Sequence, residues 1–204
     1  MCYLVSNCTS KDVSIKVFQA IRLNEIGGND AHIYSFSDPD GINSGKSGYS
    51  FGMSQFDIQN NWTGIDCLQD CGFTPKEFTA LMKQNDPEFI SRMEAKLRAN
   101  KDIVDEYDRQ HLNGAIKYCQ KVLVNCGITQ IQDIETFVNL VDYHNQFDVT
   151  WNGKIHKCIK TLASKGQMLT PKFFLDFKLN NTAWGKKRPD DVKRRYNNIH
   201  GLFA

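Results

Sequence analysis

What most constrains this chain is a change of character at residue 31. From Ala31 to Asn61 it is a run of aromatics, Ser, Gly and Asp (AHIYSFSDPDGINSGKSGYSFGMSQFDIQNN), with helix-forming sequence on either side. Within it, IYSF and GYSFGMSQFD read as short extended runs around the turn-rich SDPDGINSGKSG, since aromatics suit a pleated strand and Asp, Pro, Gly and Asn set turns. The segment 28–61 is therefore predicted to form a small hairpin or three-stranded lobe. Before it, Asp12 to Glu25 carries Ile15, Phe18, Ile21 and Arg22 at helical spacing, with Ser10 or Asp12 as cap and Gly27-Gly28 as terminator.

After Trp62 the pattern is helical almost to the end. Thr74-Pro75 with Glu77 has the capping-box spacing, and Asp86-Pro87 opens another helix. Further helices are predicted at about Asp105–Val124, ending near Gly127, then at Asp133–Gln146, Lys154–Ser164, Thr170–Leu179 and Pro189–Ile199. Ile134, Phe137, Val138 and Val141 share one face of the Asp133–Gln146 helix. The sum is an α+β chain, mostly α: one domain over 1–204, with a β lobe at 28–61 and a helical body of seven helices at 62–204.

Composition narrows the classes. Hydrophobic residues at 41% and charged residues at 24% are those of an ordinary globule rather than a disordered or fibrous chain. No run approaches the ~18 apolar residues of a membrane span, and the first residues lack the basic and apolar regions of a secretory signal. The expected location is the cytoplasm of the producing cell. The seven cysteines, an odd number, are read as reduced thiols. Cys67 and Cys71, and Cys119 and Cys126, lack the second ligand pair of a structural zinc site and are read as small buried hydrophobes.

The net charge of +2 hides an asymmetry. Residues 1–150 carry 13 Lys and Arg against 20 Asp and Glu, whereas residues 151–204 carry 12 against 3. The basic end, and the segment KKRPDDVKRR above all, either attracts an anionic polymer or lipid or complements the acidic part of its own chain. Charge alone does not choose. Its aromatics are sparse and no nucleic-acid-binding signature accompanies it, so nucleic acid is not an expected partner.

Hydrolysis of a glycosidic bond requires one carboxylic acid to protonate the leaving oxygen and a second polar group to serve the anomeric carbon from the opposite face. A carboxyl at a helix's C-terminal end meets the negative end of the macrodipole, which favours the protonated form. Glu25 is placed that way. Asp38 and Asp40 follow on a glycine-containing turn able to carry a carboxylate back, and the Ser50 hydroxyl could hold a water.

The order helix–Glu–Gly, then Ile-Tyr, then an Asp-containing turn, then G-Y-S-F-G-x-x-Q resembles the phage-type lysozymes of the lysozyme superfamily. These are muramidases that cut the β-1,4 bond between N-acetylmuramic acid and N-acetylglucosamine in bacterial peptidoglycan. The resemblance covers about forty residues in detail. It implies a lysozyme-like fold with the active-site cleft between the β lobe and the helical body, Glu25 as general acid, and Ser50 as the hydroxyl of the triad. Tyr34 takes the place of the tyrosine before the hairpin, and Gln55 that of the polar residue closing the strand motif. Tyr34, Tyr49 and Gln55 are thereby candidate substrate-binding residues. An insertion after Glu25 leaves the water-positioning carboxylate open between Asp38, the nearer to Tyr34, and Asp40. An inverting mechanism would set the two carboxylates about 6.5–9.5 Å apart.

The family reading implies a monomer acting on the cell wall after release, with no cofactor or metal. The same G-x-x-Q strand is also similar to goose-type lysozymes and lytic transglycosylases, which work chiefly through one Glu, and chitosanases share the superfamily core. The competing class is a non-enzymatic module in which the basic end binds an anionic polymer. Other chemistries find less support. Asp38-Pro39-Asp40-Gly41 resembles a calcium loop faintly, but Ile42 stands where an oxygen is needed. No G-x-S-x-G elbow, Walker loop or H-E-x-x-H occurs. Cys2 or Cys158 could pair with His32 or His156 as a nucleophile, with nothing local to support it.

Overall fold

A computed structural model of the chain describes residues 2–38, 47–83 and 86–204. In chain order the elements are β1 (Tyr3–Leu4), α1 (Lys11–Ile26), β2 (Ser50–Phe51), β3 (Phe56–Asp57), α2 (Trp62–Asp70), α3 (Pro75–Leu81) and α4 (Pro87–Ala99). There follow α5 (Lys101–Asn125), β4 (Gln130–Ile131), α6 (Ile134–Phe147), α7 (Lys154–Ser164), α8 (Pro171–Asn181), α9 (Ala183–Lys187) and α10 (Pro189–His200). The architecture is α+β and mostly helical, as the sequence pattern predicts. Nine helices follow the lobe among the described residues, not seven; the additional two are α2 and the five-residue α9. No described helix is long and apolar enough to cross a membrane.

Local chemistry explains most of the boundaries. At α3 the Thr74 hydroxyl accepts from the Glu77 amide while the Glu77 carboxylate accepts from the Thr74 amide, the reciprocal capping box. Asp86, Asp133 and Thr170 cap α4, α6 and α8 through their side chains. Gly27 and Gly28, at φ +62° and +76°, end α1 in the left-handed region that glycine enters without steric penalty.

The face that α1 buries is only partly the expected one, with Ile21 inside it and Ile15, Phe18 and Arg22 at or beyond its edge. Val13, Val17, Ala20, Ile21 and Asn24 are buried, whereas Ile15 is exposed and Phe18 half-buried. Val13, Val17 and Ile21 form an unbroken i, i+4, i+8 stripe, which packs better than the looser Ile15–Phe18 flank.

The chain divides into two compact units, one of residues 1–24 and 112–204 and one of residues 25–111. In the first, β1 pairs antiparallel with β4 (Tyr3 opposite Ile131), a two-residue pairing with no sequence signal. Helices α6, α8, α9 and α10 pack on one another, burying Phe137, Leu140, Phe174, Val192 and Ile199. Inside this unit lies an ionic cluster. The Asp142 carboxylate, fully buried, accepts from Lys178 Nζ at 2.5 Å, Arg195 Nη2 at 2.6 Å and Asn24 Nδ2 at 2.9 Å. Arg195 and Lys178 are themselves 4% exposed, so two of the cations counted in the basic C-terminal part face inward.

In the second unit, β2 and β3 form an antiparallel pair (Ser50 opposite Asp57), and Ser37 bridges to Ser50. The lobe is thus three-stranded in outline. Ile33 to Ser35 turn rather than extend, because the Asn29 side chain accepts from the Ala31 amide and starts a tight helical turn at Asp30–His32. Phe51 and Phe56 point into a core with Phe36, Leu68, Leu81 and Leu97. Five of the cysteines are buried and all seven are free, in keeping with the reading of small hydrophobes. Asp40 and the centre of the lobe's turn lie outside the described residues.

Burial pushes the Asp142 carboxyl up, but Arg195 and Lys178 outweigh it and hold the group below the ordinary carboxylate range. The cluster's stabilisation is therefore present above about pH 4 and is lost as pH falls below that value. Asp142→Ala should destabilise by about 3–5 kcal/mol at pH 7, by leaving buried cations unpaired. In urea melts its deficit against the wild type should shrink below about pH 4.

Candidate functional site

Glu25 and Ile26 close α1, and their neighbours in space are set by the turn that follows. After the glycine pair, the Asn29-capped turn brings His32 and Ser35 back, the Ser35 hydroxyl donating to the Ala31 carbonyl at 2.9 Å. Glu94 of α4 accepts from the Phe36 amide at 3.0 Å and so ties down the strand-like segment. Ser37 then exchanges two backbone hydrogen bonds with Ser50, both 2.8 Å. The result is a cavity of about 330 Å³ lined by Glu25, Ile26, His32, Ser35, Phe36, Ser37 and Gln55.

One wall is a short polar relay. The Ser37 hydroxyl donates to Gln55 Oε1 at 2.6 Å, and Gln55 Nε2 donates to the Gly52 carbonyl at 2.9 Å. Gln55 is held at φ +54°, unusual for a side-chain-bearing residue. The turn that imposes this conformation is anchored by Asp108 of α5, a buried carboxylate that accepts from the Met53 amide at 2.6 Å and the Ser54 amide at 2.8 Å. Burial pushes the Asp108 carboxyl up to about 6, against the lowering effect of those two amides.

Glu25 and Gln55, both anticipated, are brought together in this cavity; the other anticipated residues are not among its described lining. Ser50 is 5% exposed and sits in the strand pair, and the serines that line the cavity are Ser35 and Ser37. Asp38 follows Ser37 in the chain, is half-buried, and acts on Tyr49. Tyr34 donates its hydroxyl to Asp105 at 2.7 Å. Burial and then this bond push the Tyr34 hydroxyl above its ordinary range. Tyr49 packs on Phe36, ring centroids 5.7 Å apart. Among the described residues Glu25 is the one carboxylate lining the cavity.

The sequence reading missed Ser35, Ser37 and Asp108, and named His32 only as a possible partner for a thiol. Nothing marks Ser37 within a serine-rich run. Asp108, by contrast, stands in register with Val104 and Leu112, buried residues at four-residue spacing, and a carboxylate on an apolar stripe is a legible sign of a buried role.

A second cavity of about 330 Å³, between α2 and α3, is lined by Ile65, Leu68, Phe73 and Phe78 among others, with no ionisable side chain. It offers no group for acid–base chemistry. Both His156 ring nitrogens are buried without a hydrogen-bond partner, so no thiol engages this histidine. Among the described residues no three His, Cys, Asp or Glu side chains converge as metal ligands. The chain matches no family model, no curated protein and no solved structure.

Because the folded state holds a proton on Asp108 that an unfolded chain releases near pH 4, stability should fall as pH rises from about 4 to about 6, by on the order of 3 kcal/mol. Chemical denaturation of Asp108→Asn across the same range should lack that slope.

Proposed function

We propose that the chain is a peptidoglycan hydrolase, a muramidase with a lysozyme-like fold, in which Glu25 is the general acid. The observation that carries this reading is the company Glu25 keeps. A carboxyl at the end of a helix lines a cavity with the hydroxyls of Ser35 and Ser37 and the amide of Gln55, a set able to hydrogen-bond sugar hydroxyls and N-acetyl groups while the acid protonates a glycosidic oxygen. The likeness of the Glu25–Gln55 segment to phage-type lysozymes supports the same assignment.

In the hydrolytic form of the mechanism, Glu25 donates its proton to the leaving oxygen and a carboxylate on the lobe, Asp38 or Asp40, with a hydroxyl from Ser50 or its bridge partner Ser37, orients the water. A second reading is favoured by one observation: Glu25 is the one carboxylate lining the cavity among the described residues. A lone acid suits a lytic transglycosylase, in which the sugar's own 6-hydroxyl attacks and a 1,6-anhydro product leaves. The substrate in both cases is the glycan of the bacterial wall. The exposed basic residues of α9 and α10 would meet its anionic polymers or lipids, an attraction that salt screens.

Glu25→Gln should lower turbidity loss of outer-membrane-stripped bacterial cells by at least about a hundredfold, with circular dichroism unchanged. Undiminished lysis would remove Glu25 as the acid, and a wild type without lytic activity would remove the enzyme reading. Mass spectrometry of the released muropeptides separates a reducing end from the anhydro sugar.

A further inference from the structure

We propose that Asp108 is the positioning residue of this site, gripping the Gly52–Gln55 turn from α5 and thereby aiming the Gln55 amide at bound glycan. The role in glycan binding rests on the muramidase reading; the grip on the turn does not. Each carboxylate oxygen takes one backbone amide, Oδ2 from Met53 at 2.6 Å and Oδ1 from Ser54 at 2.8 Å. The turn is bracketed by two residues at positive φ, Gly52 at +78° and Gln55 at +54°. A Cβ on Gly52 would come within 3.1 Å of Asp108 Oδ2, so the backbone lies close against the carboxylate. The chain of contacts then runs from Asp108 through the turn to Gln55, and from Gln55 Oε1 to the Ser37 hydroxyl, two of the polar groups beside Glu25.

An ionised carboxylate can accept both amides, whereas a carboxylic acid must donate from one oxygen and holds one amide well. Protonation of Asp108 would therefore slacken the turn and the relay it carries. The groups that bear on Asp108 are Asp105 on its own helix, Tyr34 from the turn before the lobe and Cys67 of α2, with His111 one turn further along α5. Burial pushes its carboxyl up to about 6. The grip therefore strengthens as pH rises through that value, and glycan binding should strengthen with it.

The test is an amide-resolved NMR titration of the full chain between pH 4.5 and 7.5, paired with kinetics on purified peptidoglycan sacculi. The backbone amides of Met53 and Ser54 and the side-chain amide of Gln55 should shift with one midpoint near 6. In Asp108→Asn that common midpoint should vanish. KM for sacculi at pH 7 should rise about tenfold with kcat within about twofold, and Asp108→Glu should recover part of the loss. An Asn variant that melts lower but keeps the wild-type KM and pH profile overturns the proposal. If that variant does not fold, the wild-type titration decides, and a Gln55 side chain that ignores the Met53 and Ser54 transition overturns it. A wild type inert on sacculi whose three amides still titrate together overturns the muramidase reading and the glycan role, and supports the grip on Gln55.

Discussion

A carboxylate taken out of water must find donors or lose its charge, and those donors come from distant parts of the chain. In the unit formed by residues 1–24 and 112–204, Asp142 gathers Asn24, Lys178 and Arg195, which belong to α1, α8 and α10. In the unit of residues 25–111, Asp108 gathers the Met53 and Ser54 amides of the lobe onto α5. Each cluster fixes a register that apolar packing leaves loose, because many hydrophobic arrangements bury similar area but few satisfy a buried charge.

The two carboxylates answer the constraint in opposite ways. Asp142 meets two cations and is held ionised below the ordinary range, so it is an asset at neutral pH. Asp108 meets neutral amides and the like charge of Asp105, and burial leaves it to titrate near 6. The first is a permanent clamp. The second can be released within a modest change of acidity, and it sits one turn of backbone away from a side chain that lines the candidate site.

That site takes its chemistry from placement more than from residue type. Glu25 is an unremarkable helix-end carboxyl until the Asn29-capped turn, the Glu94 tether on Phe36 and the Ser37–Ser50 bridge close a wall beside it. Several side chains with the right chemistry are engaged elsewhere: Tyr34 on Asp105, Tyr49 against Phe36, Ser50 in the strand pair. Ser37, which carries no motif, supplies a hydroxyl because the antiparallel bridge sets it opposite Ser50 and within reach of Gln55.

The sequence by itself determined the elements. Capping residues, prolines at first helical positions and the glycine pair act within a few residues of themselves, so α1, α6, α7, α8 and α10 could be read nearly to their ends, and α3 and α4 at their starts. The small β lobe was readable for the same reason; the burial of Cys67, Cys71, Cys119 and Cys126 was readable from residue type, and Glu25 and Gln55 were named through the family likeness. Tertiary structure decided which face α1 buries, the β1–β4 pairing, the inward turn of Arg195 and Lys178, and the presence of Ser35 and Ser37 rather than Ser50 at the cavity. Those outcomes depend on partners more than a dozen, and up to about 170, positions away along the chain. Local propensity carries no information about which distant group will satisfy a polar atom once water is gone.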